Sequence, residues 1–339
     1  MTLTRRALVQ GAAVAGLAPL STLSQAQQGV LKISHQFPSG TLTEGDFRDR
    51  LCRRFAADVE KRSNGALKAA VYPGSSLMKT NAQFSALRKG ALDLSLVPLS
   101  YAGGEVPETN IGLMPALVPN YEVGKAWKNA KVGKLLAKTL DEKGVLIVSW
   151  IWQGGGVASK NAPLVTPADA KGMKVRGGSR EMDMMLKEAG ASVITLPSNE
   201  IYAAMQTGAM EAAMTSSTSF ISFKLEEIAK HLTTARKWAY WFMFEPLMIS
   251  KDVFLKLPKA HQDIIMAVGA EQEKFAEEAA RADDKLVADI YAKAGAKVYD
   301  IDGPTLTKWQ AIAKATAWKD FAGRSDATKA LLEAAQELL

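Results

Sequence analysis

Apolar and polar residues alternate over residues 30–35, between Val30 and His35, and predict a half-buried strand. Beyond Pro38 and Gly40 the period lengthens, with Phe47, Leu51, Phe55 and Val59 four apart, as on one face of a helix. A second strand over residues 67–72 runs into Pro73-Gly74, a helix follows over 81–88, and a third strand over 92–97 comes after the cap at Gly90. The alternation continues with a helix over 123–142, strands over 145–152 and 173–175, a helix over 180–189, a strand over 192–196 and a helix over 199–207. Strands and helices taken in turn predict α/β sheets covered on both faces. Between Pro258 and Gly295, Ile264, Val268, Phe275, Ala279, Leu286 and Ile290 fall near one helical face. A helix of that length reaches about 50 Å, longer than one such domain is wide, and is expected to cross between two. The alternative is two shorter helices broken near Gly269.

The chain has 339 residues, 47% hydrophobic and 23% charged, enough for two buried cores and far from disordered or disulfide-rich compositions. Its charge of +7 is spread along the sequence, which argues against a nucleic-acid surface. Cys52 is the only cysteine, so no internal disulfide forms and no thiol pair is available to a metal. No apolar run reaches the roughly 18 to 20 residues of a spanning helix. Residues 1–26 read as an export signal: Arg5 and Arg6, a weakly apolar stretch with Gln10, Gly11 and Gly16, then Ser24-Gln25-Ala26 as a cleavage site near Ala26. The paired arginines favour the twin-arginine route, and the signal implies a periplasmic mature protein. The segmentation is then residues 27–151 with about 241–275 as a first lobe, and 152–240 with about 276–339 as a second.

Catalytic signatures are missing. His35, His231 and His261 are far apart and lack zinc spacing. Gly154-Gly155-Gly156 follows a strand without a phosphate-loop Lys-Ser/Thr, and a tight turn or interdomain crossing is its expected use. Ser76-x-x-Lys79 lacks the companion motifs of a serine acyl-enzyme. Two exported α/β lobes joined by a long helix, without catalytic residues, suggest a two-lobed periplasmic-binding-protein clamshell that traps a small molecule. Ligands sit at the carboxyl ends of strands in open α/β sheets, which places Gln36 and Phe37, and Ser100 and Tyr101, at the cleft edge of the first lobe. Aromatic residues cluster at Trp150, Trp152, Phe220, Phe223, Trp238, Tyr240, Trp241, Phe242 and Phe244; most belong to cores, and Trp152 and Phe220 are the preferred apolar wall, with Trp241 also a candidate.

Residues 169–176 read Asp169-x-Lys171-Gly172-x-Lys174-x-Arg176, and a helix downstream reads Glu200-x-Tyr202-x-Ala204-x-Gln206-x-Gly208. With Pro73-Gly74, Arg88-x-Gly90-x-x-Asp93 and residues 227–232, the pattern resembles the solute-binding subunits of tripartite ATP-independent periplasmic (TRAP) transporters, the DctP-like family. The resemblance implies that Arg176 pairs with the carboxylate of the ligand, and the chemistry agrees, because a guanidinium offers a planar two-pronged donor. Glu200 is read as a cap or hinge tie. The family's second arginine is missing from residues 150–157, which disfavours a doubly paired dicarboxylate. Thr215 takes the place of a ligand-contacting asparagine, and Met214-Thr215 cannot supply the Glu-Trp pair that helps hold a metal in the keto-acid branch, although Gln153 and Glu245 remain available. Pro98 and Leu99 stand where sialic-acid-binding relatives have an acid, which disfavours a sugar acid. The reading is a periplasmic receptor that uses no cofactor and no metal. It binds a small organic monocarboxylate, aromatic, branched or 2-oxo, through Arg176, Gln153, Thr215 and Tyr101, and delivers it to TRAP permease membrane subunits. The other classes are a bilobal enzyme such as a hydrolase and a ligand-sensing receptor for a membrane signalling protein.

Overall fold

The computed structural model describes residues 29–339, so the export signal and its cleavage near Ala26 lie outside the described residues. Two sheets organise the chain. The first contains β1 (Leu31–His35), β2 (Ala69–Tyr72), β3 (Leu94–Leu96), β4 (Val145–Ser149) and β11 (Leu247–Ser250), in the order β2-β1-β3-β11-β4. The second contains β5 (Trp152–Ser159), β6 (Lys174–Arg176), β7 (Ser192–Val193), β8 (Ala212–Ser216), β9 (His231–Thr234), β10 (Trp241–Phe244) and β12 (Lys297–Asp300). Its order is β12-β9-β5-β8-β6-β7, with β10 also paired to β5. Both sheets are mixed: β1 runs parallel to β2 and β3, β11 runs antiparallel to β3 and β4, and β5 runs antiparallel to β8, β9 and β10. This is the bilobal α/β architecture expected of a clamshell.

The chain passes between the sheets at Trp150-Ile151, at Glu245-Pro246 and along one helix, Lys259–Lys293. The strand expected over 145–152 is therefore two strands in different sheets, because the chain crosses at its tail. The first two crossings lie side by side, with the Glu245 amide donating to the Ile151 carbonyl at 2.9 Å. The long helix is continuous for 35 residues. Gly269 does not break it; a Cβ there would lie 2.4 Å from the Val148 carbonyl oxygen, so this glycine lets the helix approach β4, and the Ser149 hydroxyl donates to the Gly269 carbonyl at 2.7 Å. The helix expected over 123–142 divides into Tyr121–Ala126 and Lys131–Glu142, with Trp127 turned fully into the core between them.

The C-terminal segments straddle the lobes. Helix Gly303–Ala313 packs on helix Arg180–Glu188 of the second sheet, whereas helix Asp326–Gln336 packs on Lys131–Glu142. The sequence segmentation assigned all of 276–339 to the second lobe. The buried face of the last helix, Leu331, Leu332 and Ala335, is apolar enough for either groove, and hydrophobic periodicity names no partner.

Gly154-Gly155-Gly156 is neither a turn nor a crossing. It lies inside β5, where Gly155 pairs with Ser216 and with Trp241. A Cβ on Gly155 would fall 2.3 Å from the Trp241 ring, and one on Gly156 would fall 1.9 Å from the Thr233 carbonyl oxygen. The glycines thus let the neighbouring strands and the Trp241 ring sit directly on the sheet. Gly156→Ala is expected to lower stability by about 2 kcal/mol or more through overpacking. Gly303→Ala, with open space around its Cβ position, should stay within about 0.5 kcal/mol of the parent. Urea unfolding midpoints of the two variants check this.

Candidate functional site: the interlobe cleft

Arg176 ends β6 and is 1% exposed. Its Nε donates to the Leu196 carbonyl at 3.1 Å, Nη1 to the Met214 carbonyl at 2.7 Å and Nη2 to the Tyr101 hydroxyl at 2.7 Å. All three acceptors are neutral. Among the described residues no carboxylate comes within ion-pair distance of this guanidinium. Asp183 feels its charge, yet burial pushes the Asp183 acid upward. Five N–H groups less three leaves one on each terminal nitrogen. Gly178, at φ +100°, is needed beside it, because a Cβ would stand 2.7 Å from Nη1.

Tyr101 approaches from the first lobe, in the helical turn Leu99–Ala102 that follows β3. Its hydroxyl also accepts from the Ser198 amide at 3.0 Å, so one oxygen bridges the lobes at two points. The Ser100 hydroxyl adds a bond of 3.3 Å to the Gly178 carbonyl. A cavity of about 400 Å³ opens here, lined by Ser100, Tyr101, Gly178, Arg180, Leu196 and Pro197 among others.

β5 carries the rest of the cleft. Residues along a strand alternate between faces, so Gln153 and Gly155 look one way and Trp152 and Gly154 the other. Trp241, opposite Gly155, shares the first face, and its indole N–H donates to the Gly177 carbonyl at 3.0 Å, one residue from Arg176. Gln153 donates through Nε2 to Glu245 Oε2, and its Oε1 has no protein partner among the described residues. Glu245 is fully buried at the second crossing, and its Oε1 likewise lacks a partner. Both amide atoms of Gln36, at the carboxyl end of β1, are buried without partners among the described residues.

A second buried guanidinium, Arg48, completes the group. Asp46 caps the helix Phe47–Arg62 by accepting from the Arg48 amide, and the same carboxylate takes Arg48 Nε at 2.9 Å and Nη2 at 2.6 Å. Arg48 Nη1 reaches across the lobes to Ser219 at 3.1 Å and to Ser216 and Glu245 at 3.3 Å. The guanidinium lies 3.6 Å over the Phe37 ring. Burial opposes its charge, but Asp46 and Glu245 outweigh that and raise its pKa. Burial pushes the Glu245 carboxyl up to about 7 against the pull of Arg48.

Of the residues expected at the site, Arg176, Tyr101, Gln153, Trp241, Glu245 and Phe37 come together around these two guanidinium groups, and Gln36 adjoins Phe37 in the chain. Three do not. Trp152 faces away and packs in T-shaped contact with Trp127 at 5.0 Å and beside Phe244 at 5.1 Å. Phe220 is core of the second lobe, 6.1 Å from Tyr291. Thr215 is buried but pairs with Gly156, so the pleat turns its side chain to the face opposite Ser216. Glu200 is exposed and forms no cap bond. Arg48, Asp46, Ser216 and Ser219 were not anticipated. Their only sequence signals are the charge-dense start of the first helix and the hydroxyl run 215–219 after a strand. Among the described residues no three His, Cys, Asp or Glu side chains gather for a metal, and no helix is long and apolar enough to cross a membrane.

This fold is that of a transport solute-binding protein. Residues 34–324 match the model of bacterial extracellular solute-binding protein family 7 (DctP), and the chain belongs to that family of TRAP solute-binding proteins. It is 65% identical, over 99% of both chains, to a solute-binding protein of Albidiferax ferrireducens. It is 25% identical, over 91% of this chain and 92% of the other, to the C4-dicarboxylate-binding periplasmic protein DctP of Rhodobacter capsulatus. A crystal structure of a TRAP periplasmic solute-binding protein from Rhodoferax ferrireducens with bound malonate matches with a TM-score of 0.90 and 68% identity, over 91% of this chain and 98% of that one.

A carboxyl whose folded pKa is raised favours the protonated native state, so its stabilising contribution is present at low pH and is lost as pH rises through about 7. Melting temperatures recorded from pH 5 to pH 8 should fall more steeply for the parent than for Glu245→Gln, which removes this titration. Parallel curves would show that Glu245 is not the group responsible.

Proposed function

We propose that the protein is a periplasmic receptor that closes on a short organic acid, holds its carboxylate on Arg176 and delivers it to the TRAP permease without chemical change. The observation that carries this reading is the buried, uncompensated guanidinium of Arg176. An ion taken out of water among neutral oxygens is costly, and a ligand carboxylate filling its two remaining N–H groups offsets that cost with charge-assisted bonds. Gln36, Gln153 and Glu245 carry further buried polar atoms without partners among the described residues. Groups so buried ordinarily have partners, and a solute supplies them. Tyr101 serves as the closing contact, because its hydroxyl joins Arg176 and Ser198 across the lobes.

The preference for a monocarboxylate rested on the lack of a second arginine in residues 150–157. Arg48, reaching the cleft from the first helix, removes that ground, and the 68% identical neighbour holds malonate. We therefore extend the ligand class to short dicarboxylates. Catalysis and signalling are the rival readings; against the first, the hydroxyl beside Arg176 belongs to Tyr101, which is engaged with Arg176 and the Ser198 amide and has no base bonded to it among the described residues.

In a thermal-shift and calorimetric screen of mono- and dicarboxylates, Arg176→Ala should weaken the best ligand about 100-fold, equivalent to about 3 kcal/mol. Arg176→Lys should recover part of that, because a lysine keeps the charge and loses the fork. Binding that survives Arg176→Ala would remove the residue from recognition, and turnover of any hit would favour the enzyme reading.

A further inference from the structure

The interlobe cleft contains two buried guanidinium groups in opposite electrostatic situations. Arg176 has no carboxylate partner, whereas Arg48 has two, Asp46 and Glu245. Both attach to β8: Arg176 through the Met214 carbonyl, Arg48 through the Ser216 hydroxyl. Two residues along a strand separate attachment points by about 7 Å, the span of a short solute with a polar group at each end.

We propose that Arg48, Gln36 and Glu245 form a second recognition pole for the far carboxylate of a short dicarboxylate, and that this carboxylate is accepted together with one proton. The inference rests on the carboxylate reading of Arg176 and adds the chemistry of the opposite end. The charge count requires the proton. Arg48 offers one positive charge against two carboxylates, so a third anion at that pole would be repelled by an excess of negative charge in a water-poor site.

The proton has one available position. Glu245 Oε2 already accepts from Arg48 Nη1 and Gln153 Nε2, whereas Oε1 is buried without a partner. A proton taken from solvent onto Oε1 converts a buried, unpartnered acceptor into a donor. The N–H left on Arg48 Nη2 is a second donor, and the unpartnered Nε2 of Gln36, the residue before the Phe37 ring that lies under Arg48, is assigned as the third. The charged and titratable groups around Glu245 are Arg48 and Asp46 on the first helix, Asp283 on the long helix, bonded to Thr218 and interacting with Asp46 and Arg48, and the buried thiol of Cys52. Gln153 on β5 is the neutral partner. Burial pushes Glu245 up to about 7 and Asp283 to about 6, so Glu245 is the group poised to gain the proton near neutrality.

The test compares malonate with monomethyl malonate, which keeps the length and removes the second charge, by calorimetry in two buffers of different ionisation enthalpy. For the parent protein at pH 8, malonate should bind with uptake of about one proton, and its Kd should rise about tenfold per pH unit above 7. The half-ester should show neither effect. In Glu245→Gln, an uncharged near-isostere, both proton uptake and the pH slope for malonate should vanish. Arg48→Gln should collapse the preference for malonate over the half-ester to near equality; if that variant does not fold, the proton count in Glu245→Gln carries the test alone. Malonate binding without proton uptake, or an unchanged slope in Glu245→Gln, overturns the second pole while leaving Arg176 as carboxylate anchor. Loss of the half-ester in Arg176→Ala confirms the anchor independently of the second pole. Failure of the parent to bind either compound overturns both readings.

Discussion

A guanidinium held out of water with no counter-ion is the constraint around which the second lobe is arranged. The desolvation of such a group costs several kcal/mol unless hydrogen bonds replace its hydration. The carbonyls of Leu196 and Met214 and the hydroxyl of Tyr101 supply those bonds, and each comes from a different segment. Strands β6 and β8 must lie parallel and adjacent for the Met214 carbonyl to reach Arg176, and Gly178 must take a left-handed conformation to leave room. The third bond comes from the other lobe. Satisfying this one side chain therefore couples the internal order of one lobe to the position of its neighbour.

The electrostatics differ across the cleft by design of the chain itself. At one end positive charge is left open; at the other, Asp46 both caps a helix and neutralises an arginine two residues along. The two ends of the cleft therefore differ in net charge: an open guanidinium at one, and a guanidinium set between two carboxylates at the other. Phe37 lies flat under Arg48, Trp241 bonds beside Arg176, and Gly155 of β5 lets Trp241 lie close against the sheet.

Much of the architecture was legible because it rests on local periodicity. The first strand and helix and the uninterrupted 35-residue helix are written in spacings of two and four. What was not legible depends on which face of a strand looks into the cleft and on contacts between distant segments. Trp152 and Trp241 have the same chemistry, and only the pairing of β5 with β10 decides that one packs against Trp127 and the other lies on the face of Gln153. Thr215 fell on the wrong side of the same pleat. Arg48 carries no such signal, because an arginine in a charged first turn usually points to solvent; here the turn is roofed by Ser216, Ser219 and Glu245, 168 to 197 positions later. Gly154-Gly155-Gly156 invites a turn when read alone, and the close approach of neighbouring backbone and of the Trp241 ring that accounts for Gly155 and Gly156 has no local signature.

The helix Lys259–Lys293 gives the molecule a mechanical character that loop hinges lack. Because it packs on both sheets without a break, and is held to β4 at Gly269, relative motion of the lobes has to flex a continuous hydrogen-bonded rod. Such a rod stores strain in proportion to the square of its bend and returns it on release. Any change in the gap between the two halves is therefore opposed, in either direction, by the bending stiffness of one helix.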